Sequence, residues 1–237
     1  MTVAADDPAL TAVAARALAL VTDGARVGLG SGHAAAAFVA QLGARVRVGL
    51  RVTCVPTSAV TERQARDLGI PIIGLAEDVE LDLTVDGADE VAPNLDLVKG
   101  FGGALVRERI VAAASRRQVI LVGPDKLVRA LGERGRIPVE VIPFAEGPVM
   151  RRVRALGLRP IVRTDACRGG PLVTDNGNLL LDCAPREALR DPAAARALES
   201  ALRAIPGVVD TGLFLGTAER VLVGHPDGHV ELLGGRA

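Results

Sequence analysis

Between Lys99 and Ala112 the chain reads KGFGGALVRERIVA, with Asp86-Gly87-Ala88-Asp89-Glu90 just ahead of it. Gly100, Gly102 and Gly103 let the backbone approach a ligand or take φ > 0, and the run from Gly103 onward has helix-forming composition. A glycine loop that opens into a helix is a cradle for an anion. At helical spacing Glu108 shares a face with Ala104, Val111 and Ala112, away from the face that carries Arg107 and Arg109. Burial on that apolar side would raise its pKa, whereas the helix N-terminus and nearby cations would lower it, so the value stays open. An isolated Glu of this kind commonly pairs with a neighbouring Arg on a solvated helix. Lys99, the glycine turn, Asp86 and Asp89 lie close enough in sequence to favour a site instead. The chemistry on offer is anion binding beside a carboxylate whose protonation is tuned by its surroundings.

A second glycine turn lies upstream. Arg26-Val27-Gly28-Leu29-Gly30 reads as a buried strand, followed by Ser31-Gly32-His33 and an alanine-rich helix through Ala34 to Val39. Strand, glycine turn and helix form a phosphate-binding layout, in which turn N–H groups and the positive helix end hold the anion. A dinucleotide unit would add an acidic residue at the end of the second strand, and Arg51 to Ser58 supplies none. Phosphate therefore ranks above nucleotide, with a ligand-free tight turn as the plain alternative. Asp86, Gly87, Ala88 and Asp89 follow the strand Leu81–Val85, at the carboxyl end where open parallel sheets bind ligands. Turn chemistry at Asp-Gly, or Asp89 as a helix N-cap, accounts for the same residues. Lys126 follows the strand Arg117–Val122, and it is an ordinary solvated lysine unless the fold brings it to the phosphate.

These candidates need an alternating scaffold to position them. Leu10 to Val21 reads as a helix stopped by Thr22-Asp23-Gly24, Ser58 caps another that ends at Gly69, and Pro71–Leu75 reads as a short strand. From Leu131 the rhythm changes to β-α-β-β-α-β, a split βαβ layout. Strands at Arg220–Val223 and Val230–Leu233 return the chain to the first sheet. The expected organisation is α/β, with residues 1–131 and 215–237 in a domain with a parallel-rich sheet and residues 132–214 in a smaller inserted α+β domain.

Composition limits the partners. The 237 residues are 49% hydrophobic and 2% aromatic, so the core must be aliphatic. Lys+Arg and Asp+Glu are both 28, which leaves no overall field for nucleic acid or an anionic membrane, and stacking platforms for single strands are missing. Asp6 and Asp7 stand where a signal peptide would be basic, and the following apolar run is too short for a membrane span. Cys54, Cys167 and Cys183 are odd in number and widely spaced, which fits a reducing cytoplasm. His33, His225 and His229 are not at metal-ligand spacings, so no metal is expected.

Taken together, Gly28–Gly32, Asp86–Glu90, Lys99–Ile110, Pro138–Pro143, Thr174–Asn178 and Ile205–Val209 make the chain resemble ribose-5-phosphate isomerase, type A, over nearly its full length. The resemblance implies a Rossmann-like domain with a ferredoxin-like companion, a homodimer or homotetramer, no metal and no cofactor. It also implies interconversion of ribose 5-phosphate and ribulose 5-phosphate. By the same resemblance Glu108 is the base, Lys99 stabilises developing negative charge, and Asp86 and Asp89 handle hydroxyl protons and ring opening. Substrate contacts fall to Ser31, Gly32, His33, Ala34, Gly87, Ala88, Gly100, Phe101, Gly102 and Lys126. The chain departs from the family pattern at His33 and Ala34, where hydroxyl residues are usual, and at Leu10 or Thr11, where a Lys is common. Each hydrogen bond lost to a charged group costs about 1.5–3 kcal/mol. Phe101 stands in for a small residue and is expected to narrow the pocket. Two alternatives follow: an aldose–ketose isomerase for another sugar or sugar phosphate, and a non-catalytic sugar-phosphate sensor.

Overall fold

The computed structural model describes residues 7–167 and 169–235, so Asp6 lies outside the described residues. Asp7 accepts the N–H groups of Ala9 and Leu10 and caps α1 (Pro8–Leu18). Then come β1 (Ala25–Leu29), α2 (His33–Arg47), β2 (Val52–Pro56), α3 (Ala59–Asp67), β3 (Leu83–Gly87), β4 (Glu90–Val91), β5 (Leu97–Val98), α4 (Leu105–Ala113) and β6 (Gln118–Val122). The next elements are β7 (Ile137–Val141), α5 (Glu146–Ala155), β8 (Arg159–Val162), β9 (Thr164–Asp165), β10 (Gly170–Pro171) and β11 (Leu179–Ala184). The chain closes with α6 (Pro192–Arg203), β12 (Val208–Thr211), β13 (Leu213–Phe214), β14 (Arg220–Gly224) and β15 (Val230–Gly234).

Two compact units result. The first contains residues up to 88, 107–126 and those from 216; the second contains 89–106 and 127–215. Sheet order in the first is β15-β14-β6-β3-β1-β2, parallel throughout except for the antiparallel edge strand β15. The central strand β6 is buried at every residue, as its unbroken QVILV run requires of a parallel strand covered on both faces. Val27, Leu29, Leu83, Val85, Val119 and Leu121 pack with Val13 and Ala17 of α1 and Phe38, Val39 and Leu42 of α2. The expected strand at Pro71–Leu75 is reduced to a single bridge, Cys54 to Ile72. Pro71 has no N–H to give, so a ladder cannot extend through it.

The second unit holds a four-stranded antiparallel sheet ordered β12-β7-β11-β8. Val139, Val141, Leu181 and Cys183 form a core with Val149 and Val153 of α5 and Leu202 of α6. This is the ferredoxin-like α+β arrangement expected beside the Rossmann-like sheet. The observed units differ from the expected division at residues 127–131 and Leu215, which group with the second unit, and over the longer segment 89–106, which does so too. The reason is a small sheet absent from the sequence reading: β5 pairs with β4 on one side and with β13 on the other.

All three cysteines are free. Burial pushes the thiols of Cys54, in the first core, and Cys183, in the second, up to about 12, while Cys167 is exposed. Among the described residues no helix is long and apolar enough to cross a membrane.

Candidate active site

Strand order dictates where a ligand can enter the first unit. From β1 the chain goes to β2 on one side, and β3 then adds on the other, so the connections diverge above the carboxyl ends of β1 and β3. Gly30-Ser31-Gly32 leaves β1 at that point, and Asp86 and Gly87 end β3 beside it. The Gly30 N–H continues the ladder onto Val85 O at 2.9 Å. A methyl group on Gly30 would run into the Asp86 side chain and its Cα, so only glycine lets the turn lie against this carboxylate. Asp86 is fully buried, and its Oδ1 accepts the N–H groups of Ser31 at 3.0 Å and Gly87 at 2.8 Å. Gly32, at φ +86°, ends the turn and starts α2 without a side-chain cap. The first-turn N–H groups of that helix therefore have no partner from a capping side chain.

Glu108 sits in the first turn of α4, only 4% exposed, with Val111 one helical turn on also buried. The apolar face read from helical spacing is the buried one. Ser31 Oγ donates to Glu108 Oε1 at 2.5 Å, a short hydrogen bond to a carboxylate. Ser31, Asp86 and Glu108, drawn from three separate stretches of chain, thus form one connected cluster in the first unit. A carboxylate held this way, at a sheet's carboxyl edge, can accept a proton from a bound carbon acid.

The other polar candidates belong to the second unit. Asp89 is not a helix cap: it precedes β4, its N–H bonds to Val98 O, and its Oδ2 accepts the Phe101 N–H at 2.8 Å. Lys99 is 2% exposed, donates its N–H to Gly212 O at 2.9 Å, and carries its ammonium 5.6 Å from the centre of the buried Phe214 ring. Phe101 lies in the same turn. Its ring packs against the cluster of Ala92, Val98, Leu131, Ile137 and Leu213, with the Arg136 guanidinium 3.8 Å from its centre. The side chain is thereby engaged within its own unit, and its backbone does the holding of Asp89.

His33 opens α2 as an exposed residue and Ala34 follows half-buried. Lys126 pairs with Asp125 at 3.3 Å and is partly exposed. Sequence reasoning missed Arg163, which is 9% exposed and donates to the carbonyls of Gly100 and Phe101. It lies more than sixty residues from that turn, and no local spacing signals the contact.

Residues 53–228 match the family model described as ribose 5-phosphate isomerase A (phosphoriboisomerase A). The chain is 48% identical over 221 residues to ribose-5-phosphate isomerase A of Roseiflexus castenholzii, with 92% of each protein covered. It is 49% identical over 221 residues to that of Gloeobacter violaceus, with 93% of each covered. Among solved structures, ribose 5-phosphate isomerase A from Methanocaldococcus jannaschii matches with TM-score 0.89 at 39% identity, over 97% of this chain and 99% of that one. A D-ribose-5-phosphate isomerase in complex with phospho-erythronic acid matches with TM-score 0.90 at 35% identity, over 99% and 100% of the two chains.

Proposed function

The chain belongs to the ribose 5-phosphate isomerase A family, and from that membership we propose how its own residues interconvert D-ribose 5-phosphate and D-ribulose 5-phosphate. Glu108 is the single base. In the open-chain aldose its carboxylate takes the proton from C2; the electron pair left behind forms the C1–C2 double bond and charge moves to the C1 oxygen. The proton of the C2 hydroxyl passes to the C1 oxyanion; as the C2 carbonyl forms, the electron pair of the C1–C2 double bond takes the proton back from the same carboxyl at C1, which leaves a C1 hydroxyl and a C2 ketone. Lys99 is assigned to the developing oxyanion, where a fixed cation contributes most. Asp86 and Asp89 are assigned to hydroxyl protons and to ring opening. The phosphate is assigned to the N–H groups of Gly32, His33 and Ala34 at the start of α2, where a helix end without a side-chain cap accepts an anion, with Ser31, whose own N–H is held by Asp86, as a neighbouring contact. Gly87, Ala88, Gly100, Phe101, Gly102 and Lys126 complete the proposed substrate contacts. Phospho-erythronic acid, bound by the related isomerase, carries a carboxylate where the reaction develops its enediolate, so it is a suitable probe for this chain too.

One observation carries the assignment of the base: a carboxylate 4% exposed, at the carboxyl edge of a parallel sheet, that accepts the hydroxyl of the phosphate turn. Replacing Glu108 by Gln keeps the shape and removes the base. Purified wild type is expected to turn over ribose 5-phosphate in EDTA, while Glu108→Gln loses roughly two or more orders of magnitude in kcat and still binds phospho-erythronate. Full activity in that variant, or abolition by EDTA, contradicts the metal-free single-base mechanism. We further assign the chain to a homodimer or homotetramer in a reducing cytoplasm. The family resemblance supports the first and the free thiols agree with the second; light scattering tests the assembly.

A further inference from the structure

Arg163 stands just beyond β8, and its main chain is fixed on both sides: its N–H donates to Leu180 O and its carbonyl accepts from Leu172 N, each at 2.8 Å. Its guanidinium is fully engaged. Nε and Nη2 grip the two oxygens of Asp182 at 3.0 and 2.5 Å, while Nη1 donates to Gly100 O at 2.9 Å and to Phe101 O at 3.0 Å. Asp182 is held in turn by Arg136 at 3.3 Å, the same arginine that lies over the Phe101 ring. A planar fork is suited to this task, and a lysine ammonium would not reach both a carboxylate and two carbonyls in fixed directions.

The consequence follows from peptide geometry. In a trans peptide the C=O and N–H point in opposite directions. Because the carbonyls of Gly100 and Phe101 converge on one nitrogen of Arg163, the N–H groups of Phe101 and Gly102 must point away from it. Asp89 Oδ2 takes the first of these at 2.8 Å. The second lies beside it, and two successive N–H groups facing one way make a local centre of positive potential. Gly100 reaches this conformation at φ +101°, and a methyl group there would press on Leu105 and Pro138. Lys99, the preceding residue, is tied to Gly212 O, and Gly212 N–H in turn donates to Pro138 O at 2.7 Å. The turn is therefore anchored to the four-stranded sheet at two places.

We propose that Arg163, locked by Asp182, is a positioning residue for the isomerase reaction: it sets the peptide planes of the Lys99–Gly103 turn, and through them the placement of Asp89, the Gly102 N–H and Lys99. The inference rests on the isomerase reading above, with Lys99 and Asp89 as reacting-side groups. It gives this buried ion pair a role beyond stability, since such a pair adds little net stability compared with apolar residues of the same size.

The test compares wild type with Arg163→Lys, Arg163→Ala and Asp182→Asn. Thermal melting, kcat and KM for ribose 5-phosphate, and affinity for phospho-erythronate are measured for each. Misplacing catalytic groups by about an ångström costs up to about 100-fold in rate, so Arg163→Lys is expected to keep a cooperative melt and lose roughly 10- to 100-fold in kcat. Asp182→Asn, which frees one arm of the fork, is expected to lose less. Guanidinium ion at millimolar concentration is expected to restore part of the kcat of Arg163→Ala and none of Glu108→Gln. The proposal is overturned if a folded Arg163→Lys has kcat and KM within twofold of wild type. It is also overturned if Arg163→Ala and Asp182→Asn lower the melting temperature alone while keeping the wild-type rate below it. An inactive wild type would instead remove the isomerase reading, and the inference with it.

Discussion

Gly30 shows how little room the cluster of Ser31, Asp86 and Glu108 leaves. A single added methyl meets Asp86 at its carboxylate and at its backbone, so it cannot be relieved by a side-chain rotation alone. Gly30→Ala is therefore expected to displace Asp86, strip it of the Ser31 N–H, and lower kcat/KM by about 100-fold or more, the scale of a misplaced catalytic group. Steady-state kinetics checks this, with Gly147→Ala in α5 as control, because nothing lies within 4 Å of a methyl built there. A Gly30→Ala enzyme with normal kinetics would show that Asp86 does not need its present position. At this scale the sequence was informative where local periodicity carries the meaning. Burial of Glu108 follows from its place among Ala104, Val111 and Ala112, and the proximity of Asp86 to the Gly30–Gly32 turn follows from strand ends. The hydroxyl bond from Ser31 to Glu108 joins residues 77 apart, and pairings across that separation leave no mark in either local pattern.

Among the elements, the short strand β4 carries a charge where an apolar residue would be expected. Glu90 is fully buried, and its carboxylate accepts the N–H groups of Gly132 at 2.5 Å and Arg134 at 2.7 Å, tying β4 to the loop before β7. Burial is the main cause that raises its pKa above the ordinary 4.5, with the two backbone N–H bonds pulling the other way. A carboxyl whose folded pKa lies above its unfolded value adds stability below the unfolded value and loses that contribution as pH rises through the folded one. Urea unfolding between pH 4.5 and neutrality is expected to show a downward slope attributable to Glu90. Glu90→Gln should be less stable, because one N–H loses its acceptor, and should show a flatter slope, so that its deficit shrinks as pH rises. A steeper decline in the variant would contradict the assignment. Elements with strong patterns were legible: the β-α-β-β-α-β run after Leu131 matches the observed strands and helices. The three-stranded sheet of β4, β5 and β13 was not, since two-residue strands have no period to read and β13 lies over a hundred residues from β5.

For the whole molecule, the chain passes from one unit to the other at residues 88/89, 106/107, 126/127 and 215/216, so neither unit is a single stretch of sequence. Membership of the isomerase family and the two-part α/β architecture were legible because the motifs recur at intervals along nearly the full length. The assignment of residues 89–106 was not, because it depends on β13 near the far end of the second unit. The three thiols give this scale its own test. Cys167 is exposed, whereas Cys54 and Cys183 are buried with their thiols pushed up to about 12, so only Cys167 is open to a reagent in the native state. A chromogenic disulfide reagent is expected to titrate one thiol promptly and three in denaturant; prompt reaction of two or three would show an open core.

Those two protected sulfurs have a further use. One sits in the sheet of each unit, Cys54 beside Val27 and Leu29 in the first core and Cys183 among Val139 and Leu181 in the second. Each is a clock for its own half of the molecule: with Cys167 replaced by Ser, pulse labelling followed by peptide mapping times the opening of the two cores independently, without any added probe.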